Sequence, residues 1–184
     1  MRIIGITGTI GAGKGTIVEY LKQRHGFEHY SVRDFLIKEI EKRNLPVNRD
    51  TMVEVANELR SKYSPSYIVE QLYEQAKASG KDAIIESIRT LGEISSLRKL
   101  KDFRLLAVDA LPELRYERIK KRGSITDNVT YETFLENEQR EMSGTDDSKQ
   151  NLAACIEKAD YKLTNNSAFE DLYRQIEEAL KVIY

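Results

Sequence analysis

Cysteine is almost missing: Cys155 is alone among 184 residues. A single thiol excludes an internal disulfide and a C-x-x-C metal motif, and the expected role of Cys155 is that of a small buried apolar residue. Long hydrophobic runs are missing too, so no segment reaches the length needed to cross a bilayer. The opening "MRIIGIT" lacks the apolar stretch of about 7–15 residues found in a secretory signal, and a cytoplasmic location is expected. Neither sign of charge is in excess. The formal net charge of −1 leaves no global basic field for nucleic acid, so neither a nucleic-acid nor a membrane partner is expected. Internal repeats and low-complexity linkers are absent, which makes residues 1–184 one expected domain. What remains, 40% hydrophobic and 32% charged residues, describes a globular chain with a real core and a heavily charged surface.

Hydrophobic periodicity divides the chain into alternating elements. "RIIGIT" is a short β-branched run that stops at Gly8, suiting a strand buried on both faces. From Thr16 onward Ile17, Val18 and Leu21 share a helical face, and "HGF" ends it. "FEHYSV" reads as a second strand. Phe35, Leu36 and Ile40 mark a helix running to about residue 44, broken at Pro46. Two helical patterns follow, "TMVEVANELRSKY" and "SYIVEQLYEQAKA". Then come the strand "DAIIES", the helix "EISSLRKL" and the strand "RLLAVDA". Pro112 opens the helical "PELRYERIKKR". A polar "GSITDNVT" leads into "YETFLENEQREM", and "YKLTN" and "AFEDLYRQIEEALKVI" form a last strand and helix. Such alternation predicts a mainly parallel sheet with helices on both faces. Residues about 124–150, without a strand and with little apolar periodicity before Tyr131, are expected to be a mobile excursion rather than core.

The chemistry concentrates in "GTIGAGKGT", residues 8–16. At the average glycine usage of ~7%, four glycines at named positions arise in about two of every 100,000 windows. Between a strand and a helix, such a turn lets backbone N–H groups converge on an anion. The helix N-terminus adds about half a positive charge at the same spot. Gly8, Gly13 and Lys14 satisfy the phosphate-loop spacing G-x-x-x-x-G-K, in which the lysine reaches the outer phosphates of a nucleotide. Gly11, Ala12 and Gly15 complete the expected cradle. Gly15 stands where Ser or Thr is usual, and the hydroxyl follows at Thr16. No guanine-reading N-K-x-D segment accompanies the loop.

"GxGKGT" resembles the phosphate loop of adenylate kinase and other nucleoside monophosphate kinases. "GITGTIGAGK" also resembles the opening of dephospho-CoA kinase, although that family continues with Ser-Thr. These resemblances imply a phosphate-loop nucleoside triphosphate hydrolase fold with strand order 2-3-1-4-5. They also imply an acceptor-binding helical region at about 31–80, a small lid at about 123–145, and ATP with Mg²⁺ as cofactors. Thr16 and Glu86 are the implied groups around the metal. "HYSVRDFL" is similar to the segment at the edge of the adenylate kinase acceptor pocket, and this resemblance puts Asp34 where dephospho-CoA kinase and several sugar kinases keep an acidic residue near the acceptor hydroxyl. Asp34 alternatively stabilises a helix start through the helix dipole.

"IIESIRTLGE" resembles Asp-Gly-Phe-Pro-Arg-Thr of adenylate kinase, with Glu86 in place of the aspartate and Arg89 in place of the arginine that holds the acceptor's phosphate. Ser87 and Ile88 stand where glycine and proline would. In "RYERIKKRG" Arg118 and Arg122 share a helix face, and the resemblance implies that they grip the ATP phosphates, joined by Arg140 of "NEQREM". Basic helix faces are otherwise simply solvated. The lid lacks the four-cysteine zinc site of some adenylate kinases. The tail, "ADYKLTNNSAFEDLYRQIEEAL", resembles the end of dephospho-CoA kinases. It makes Asn165, Asn166 and Ser167 candidates to contact the base, or Asn166 or Ser167 a helix N-cap.

The expected activity is transfer of the ATP γ-phosphoryl group to a small nucleotide-like acceptor. A nucleoside or deoxynucleoside monophosphate is the first choice and dephospho-CoA the second. An ATP-binding regulatory module that phosphorylates no metabolite is the alternative from another class. Oligomeric state is not readable from the sequence.

Overall fold

The computed structural model describes residues 1–124, 128–144 and 149–184. The chain runs β1 (Ile3–Gly8), α1 (Lys14–His25), β2 (Glu28–Ser31), α2 (Val32–Lys42), α3 (Arg49–Lys62), α4 (Tyr67–Ser79) and β3 (Ala83–Glu86). It continues α5 (Leu91–Leu97), β4 (Phe103–Asp109), α6 (Pro112–Arg122), α7 (Tyr131–Met142), α8 (Leu152–Glu157), β5 (Tyr161–Thr164) and α9 (Phe169–Ile183). All strand pairings are parallel and the order is β2-β3-β1-β4-β5, as the resemblance implied.

Alternation along the central strands builds two cores. Ile3, Ile85 and Leu105 face a layer from α2, α3, α4, α5 and α8, whereas Ile4, Ile6, Ile84 and Leu106 face α1 and α9. Every residue of β1 is buried, which is why its sequence reads as a continuous apolar run. Cys155 lies in the first core, where burial pushes its thiol up to about 12. It is structural, as expected.

Local chemistry sets the ends of the elements. Ser31 caps α2 by accepting from Asp34 N at 3.1 Å, so α2 follows β2 directly. Thr90 and Glu93 form a reciprocal capping box on α5. The first helix begins at Lys14, two residues before the periodicity, because Gly13 at φ 108° serves as its N-cap. The six residues of α8 were not anticipated: with only Leu152 and Cys155 buried, the helix is too short to display a period. The last helix is capped by Ala168 without a side-chain bond, since Asn166 instead accepts from Leu111 N at 2.8 Å.

Helix α7 is more than an excursion. It buries Phe134 beside Tyr116 of α6, ring centroids 5.6 Å apart, and it buries Glu141. Of the expected lid, residues 125–127 lie outside the described part of the chain, and so does its last residue, 145. Among the described residues, no helix is long and apolar enough to cross a membrane.

Candidate functional site

The loop after β1 is shaped by its glycines. Gly13 adopts φ 108°, and a Cβ there would sit 2.2 Å from Nδ2 of Asn165, which itself donates to Ala12 O at 2.8 Å. At Gly11, φ is 77° and a Cβ would meet the Arg115 carbonyl oxygen at 2.5 Å. Gly15 differs: nothing lies within 4 Å of a Cβ placed there. Gly13→Ala should therefore cost about 1–3 kcal/mol of stability, the usual range for strained backbone. Gly15→Ala should be neutral, or stabilising by up to about 1 kcal/mol, because it removes freedom from the unfolded chain without strain. Urea denaturation of the two variants checks the contrast. Equal losses would mean that the loop is not built as described.

Lys14 opens α1 and folds back over the loop, donating from Nζ to Gly8 O at 2.8 Å and Thr9 O at 2.9 Å. Burial lowers its pKa to about 8, and the positive charges of Arg89 and Arg122 act in the same direction against Glu86 and Glu141. These four groups, carried by distant parts of the chain, thus share one electrostatic environment with the loop lysine. All five line the same cavity, together with Arg33, Arg49 and Arg60. The cavity opens beyond the C-terminal ends of β1 and β3, where open parallel sheets bind ligands. Its other wall is apolar, formed by Val32, Leu36, Met52, Val53 and Ala56.

Glu86 ends β3. Burial pushes its carboxyl up, but the His29 imidazole 3.4 Å away, the charge of Lys14 and a hydrogen bond from Ser87 outweigh it and hold the carboxyl at about 2. Ser87 donates to Glu86 at 2.9 Å from a left-handed backbone, φ 74°. That conformation favours glycine, so a non-glycine residue here marks a strained turn. Its N–H and that of Ile88 both reach Ile6 O, tying the turn to β1.

Arg89 follows this turn. Its guanidinium contacts Glu141 of α7, and Nη1 also donates to Gln150 Oε1 at 3.3 Å. Arg122 lines the cavity at the end of α6. Arg118, one turn earlier, leaves that face and donates to Asn165 O at 2.9 Å behind the loop. Arg140 is half-exposed, with Asp50 and Asn137 as partners at 3.2 and 3.1 Å. Asp34 is exposed at the start of α2 and does not line the cavity, whereas its neighbour Arg33 does. Thr16 lines a second recess, on the α1–α9 side, with Tyr20, Phe169 and Tyr173.

Three site residues escaped the sequence reading. Arg60 sits on the buried face of α3 with Ala56 and binds Glu93 at 2.7 Å in a pair sealed from solvent. Arg49, in the first turn of α3, contacts Glu141. Glu141 falls seven residues after Phe134, hence on the same helix face. A charge inside an apolar stripe was the available signal for Arg60 and Glu141; Arg49 offered none.

Comparison with known proteins accords with this geometry. Residues 4–144 match the family model of the AAA domain. A UPF0200 protein of Methanocaldococcus jannaschii is 32% identical over 186 residues, covering 100% of this chain and 91% of the relative. The chain belongs to the UPF0200 family and carries an AAA domain. Among solved structures, TT1252 from Thermus thermophilus superposes with a TM-score of 0.66 at 21% identity, covering 98% of this chain and 96% of that one. A gluconokinase from Sinorhizobium meliloti gives 0.60 at 13% identity over 98% and 91% of the two chains. A shikimate kinase from Bacteroides thetaiotaomicron gives 0.59 at 10% identity over 99% and 98%. The UPF0200 chain thus has the fold of phosphate-loop small-molecule kinases.

Proposed function

We propose that this UPF0200 protein is an ATP-dependent phosphotransferase that moves the γ-phosphoryl group to a small anionic acceptor. A nucleoside or deoxynucleoside monophosphate is the first choice and dephospho-CoA the second. The observation that carries the reading is the single cavity shared by Lys14 of the phosphate loop and Arg89 beyond β3. A donor's phosphates and an acceptor's anion would meet between them.

Phosphoryl transfer asks for positioning and charge neutralisation more than covalent help. The amides of residues 8–16 and Lys14 would hold the β- and γ-phosphates, and Arg122 would face the transferring group. Arg89 would grip the acceptor through a planar two-bond contact. Glu86, ionised at neutral pH and beside Lys14, suits Mg²⁺, which binds through one or two carboxylates plus phosphate oxygens and would supply charge neutralisation. Thr16, two residues after Lys14, would add its hydroxyl on the phosphate side of the loop. Arg118 and Asn165, bonded to each other beside Ala12, would border the nucleoside side of ATP. Asp34 and Arg140 would reach the reacting groups only on closure of the helices that carry them.

The test is ADP formation, followed by a coupled assay, across nucleoside and deoxynucleoside monophosphates and dephospho-CoA. Gluconate and shikimate belong in the panel because structural neighbours are named for them. ATP hydrolysis alone should be slow, and one acceptor should accelerate ADP release sharply. A flat response to every acceptor would overturn the reading and favour the regulatory module, whose ATPase answers to a macromolecule.

A further inference from the structure

The acceptor end of the cavity is already held by a group of the chain itself. Arg49 of α3 and Arg89 beyond β3 come from segments forty residues apart in sequence, and both close on the carboxylate of Glu141. Glu141 is only 4% exposed. Its carboxyl stays below the usual range despite burial, because both guanidiniums bond to it and surround it with positive charge.

Two features make this carboxylate an incomplete partner. A single negative charge answers the two guanidiniums of Arg49 and Arg89. In addition, Nε of Arg49 is buried without a hydrogen-bond partner among the described residues, one carboxylate oxygen of Glu141 serving Arg49 Nη2 and the other Arg89 Nη1. Leaving a buried donor unmade is costly. A phosphate monoester, with about −1.5 to −2 charges and three acceptor oxygens, fits these donors better than a carboxylate does.

The contact also ties α7 to the cavity. Helix α7 is otherwise held by Phe134 and Tyr131 against Tyr116, by packing on α8, by the Arg115–Glu138 pair and by the Arg140–Asp50 pair at 3.2 Å. Among these contacts, that of Glu141 is the one made to the cavity-lining arginines, Arg49 and Arg89.

We propose that Glu141 is a built-in counter-ligand of the Arg49–Arg89 anion subsite, which the phosphate group of an acceptor displaces, releasing α7. The exchange sets acceptor affinity and couples acceptor arrival to movement of the helix that bears Arg140. The word acceptor rests on the kinase reading; the exchange itself is measurable without ATP.

The test is calorimetric titration of the full chain with inorganic phosphate, for the parent, Glu141→Gln and Glu141→Asp. Removing the competitor should tighten phosphate binding about tenfold in Glu141→Gln, the value of one typical charged hydrogen bond. Glu141→Asp, one methylene shorter but still charged, should fall between. The gain should vanish when Arg49→Gln is added, a change that leaves the phosphate loop intact and so separates this subsite from phosphate held by Lys14. In the parent, saturating phosphate should also speed amide hydrogen exchange across residues 131–142. Phosphate binding that is unchanged or weaker in Glu141→Gln would show that Glu141 merely orients the arginines, and the proposal falls. If Glu141→Gln does not fold, unchanged or weaker binding by Glu141→Asp overturns it equally. A silent kinase panel together with tightened phosphate binding would sink the kinase reading and leave the exchange standing.

Discussion

Lys14→Ala should abolish phosphoryl transfer while the protein stays folded. The lysine's two hydrogen bonds go to carbonyls of its own loop, at Gly8 and Thr9, and it contributes nothing to either apolar core. Removing it relieves the desolvation of a buried ammonium and its repulsion by Arg89 and Arg122, which offsets the lost attraction to Glu86 and Glu141. Melting temperature should therefore change little. The catalytic loss should be large. A hydrogen bond to a charged group is worth ~1.5–3 kcal/mol in ordinary settings. Where a preorganised donor meets charge that develops in the transition state, deletion costs about 10²- to 10³-fold in rate. Steady-state kinetics beside a thermal melt measure both halves of the expectation. A variant that folds and turns over at the parent rate would refute the assignment of residues 8–16 as a nucleotide phosphate cradle.

The parts of this site that could be read from the sequence are those whose chemistry is local. The β-branched run, the glycine turn and Lys14 are contiguous, and each constrains the next: Gly13 must take φ 108° for Lys14 to start α1. Glu86 and Arg89 entered through the resemblance of "IIESIRTLGE" to a kinase segment, and the end of a parallel strand is a place where ligands gather. Arg49, Arg60 and Glu141 were not legible, because what makes them important is convergence across long sequence separations. Glu141 lies 92 residues from Arg49 and 52 from Arg89. Arg60 and Glu141 interrupt apolar helix faces, but that signal names no partner, and Arg49 carries no signal at all. The same limit explains Arg118 and Arg122. Spacing put them on one face, but Arg118 is drawn away by the Asn165 carbonyl, which belongs to a loop no periodicity could position.

Arg89→Ala should separate the acceptor from ATP. The side chain stands beyond β3, while the donor's phosphates would rest on loop amides and Lys14, which the substitution leaves in place. Acceptor kcat/KM should fall by the ~1.5–3 kcal/mol of a charged hydrogen bond, or about 10- to 150-fold. Titration with a non-hydrolysable ATP analogue should show nearly parent affinity. Stability should drop at the same time, because Glu141 then keeps only Arg49 as a partner for a buried carboxylate. Arg89→Lys should restore the charge opposite Glu141 and recover much of that stability. It should recover only part of the acceptor term, since an ammonium cannot offer two parallel donors in one plane. That divergence between the two recoveries distinguishes a binding role from a structural one. Were Arg89→Ala to weaken the ATP analogue and spare the acceptor, the two ends of the cavity would have to be exchanged.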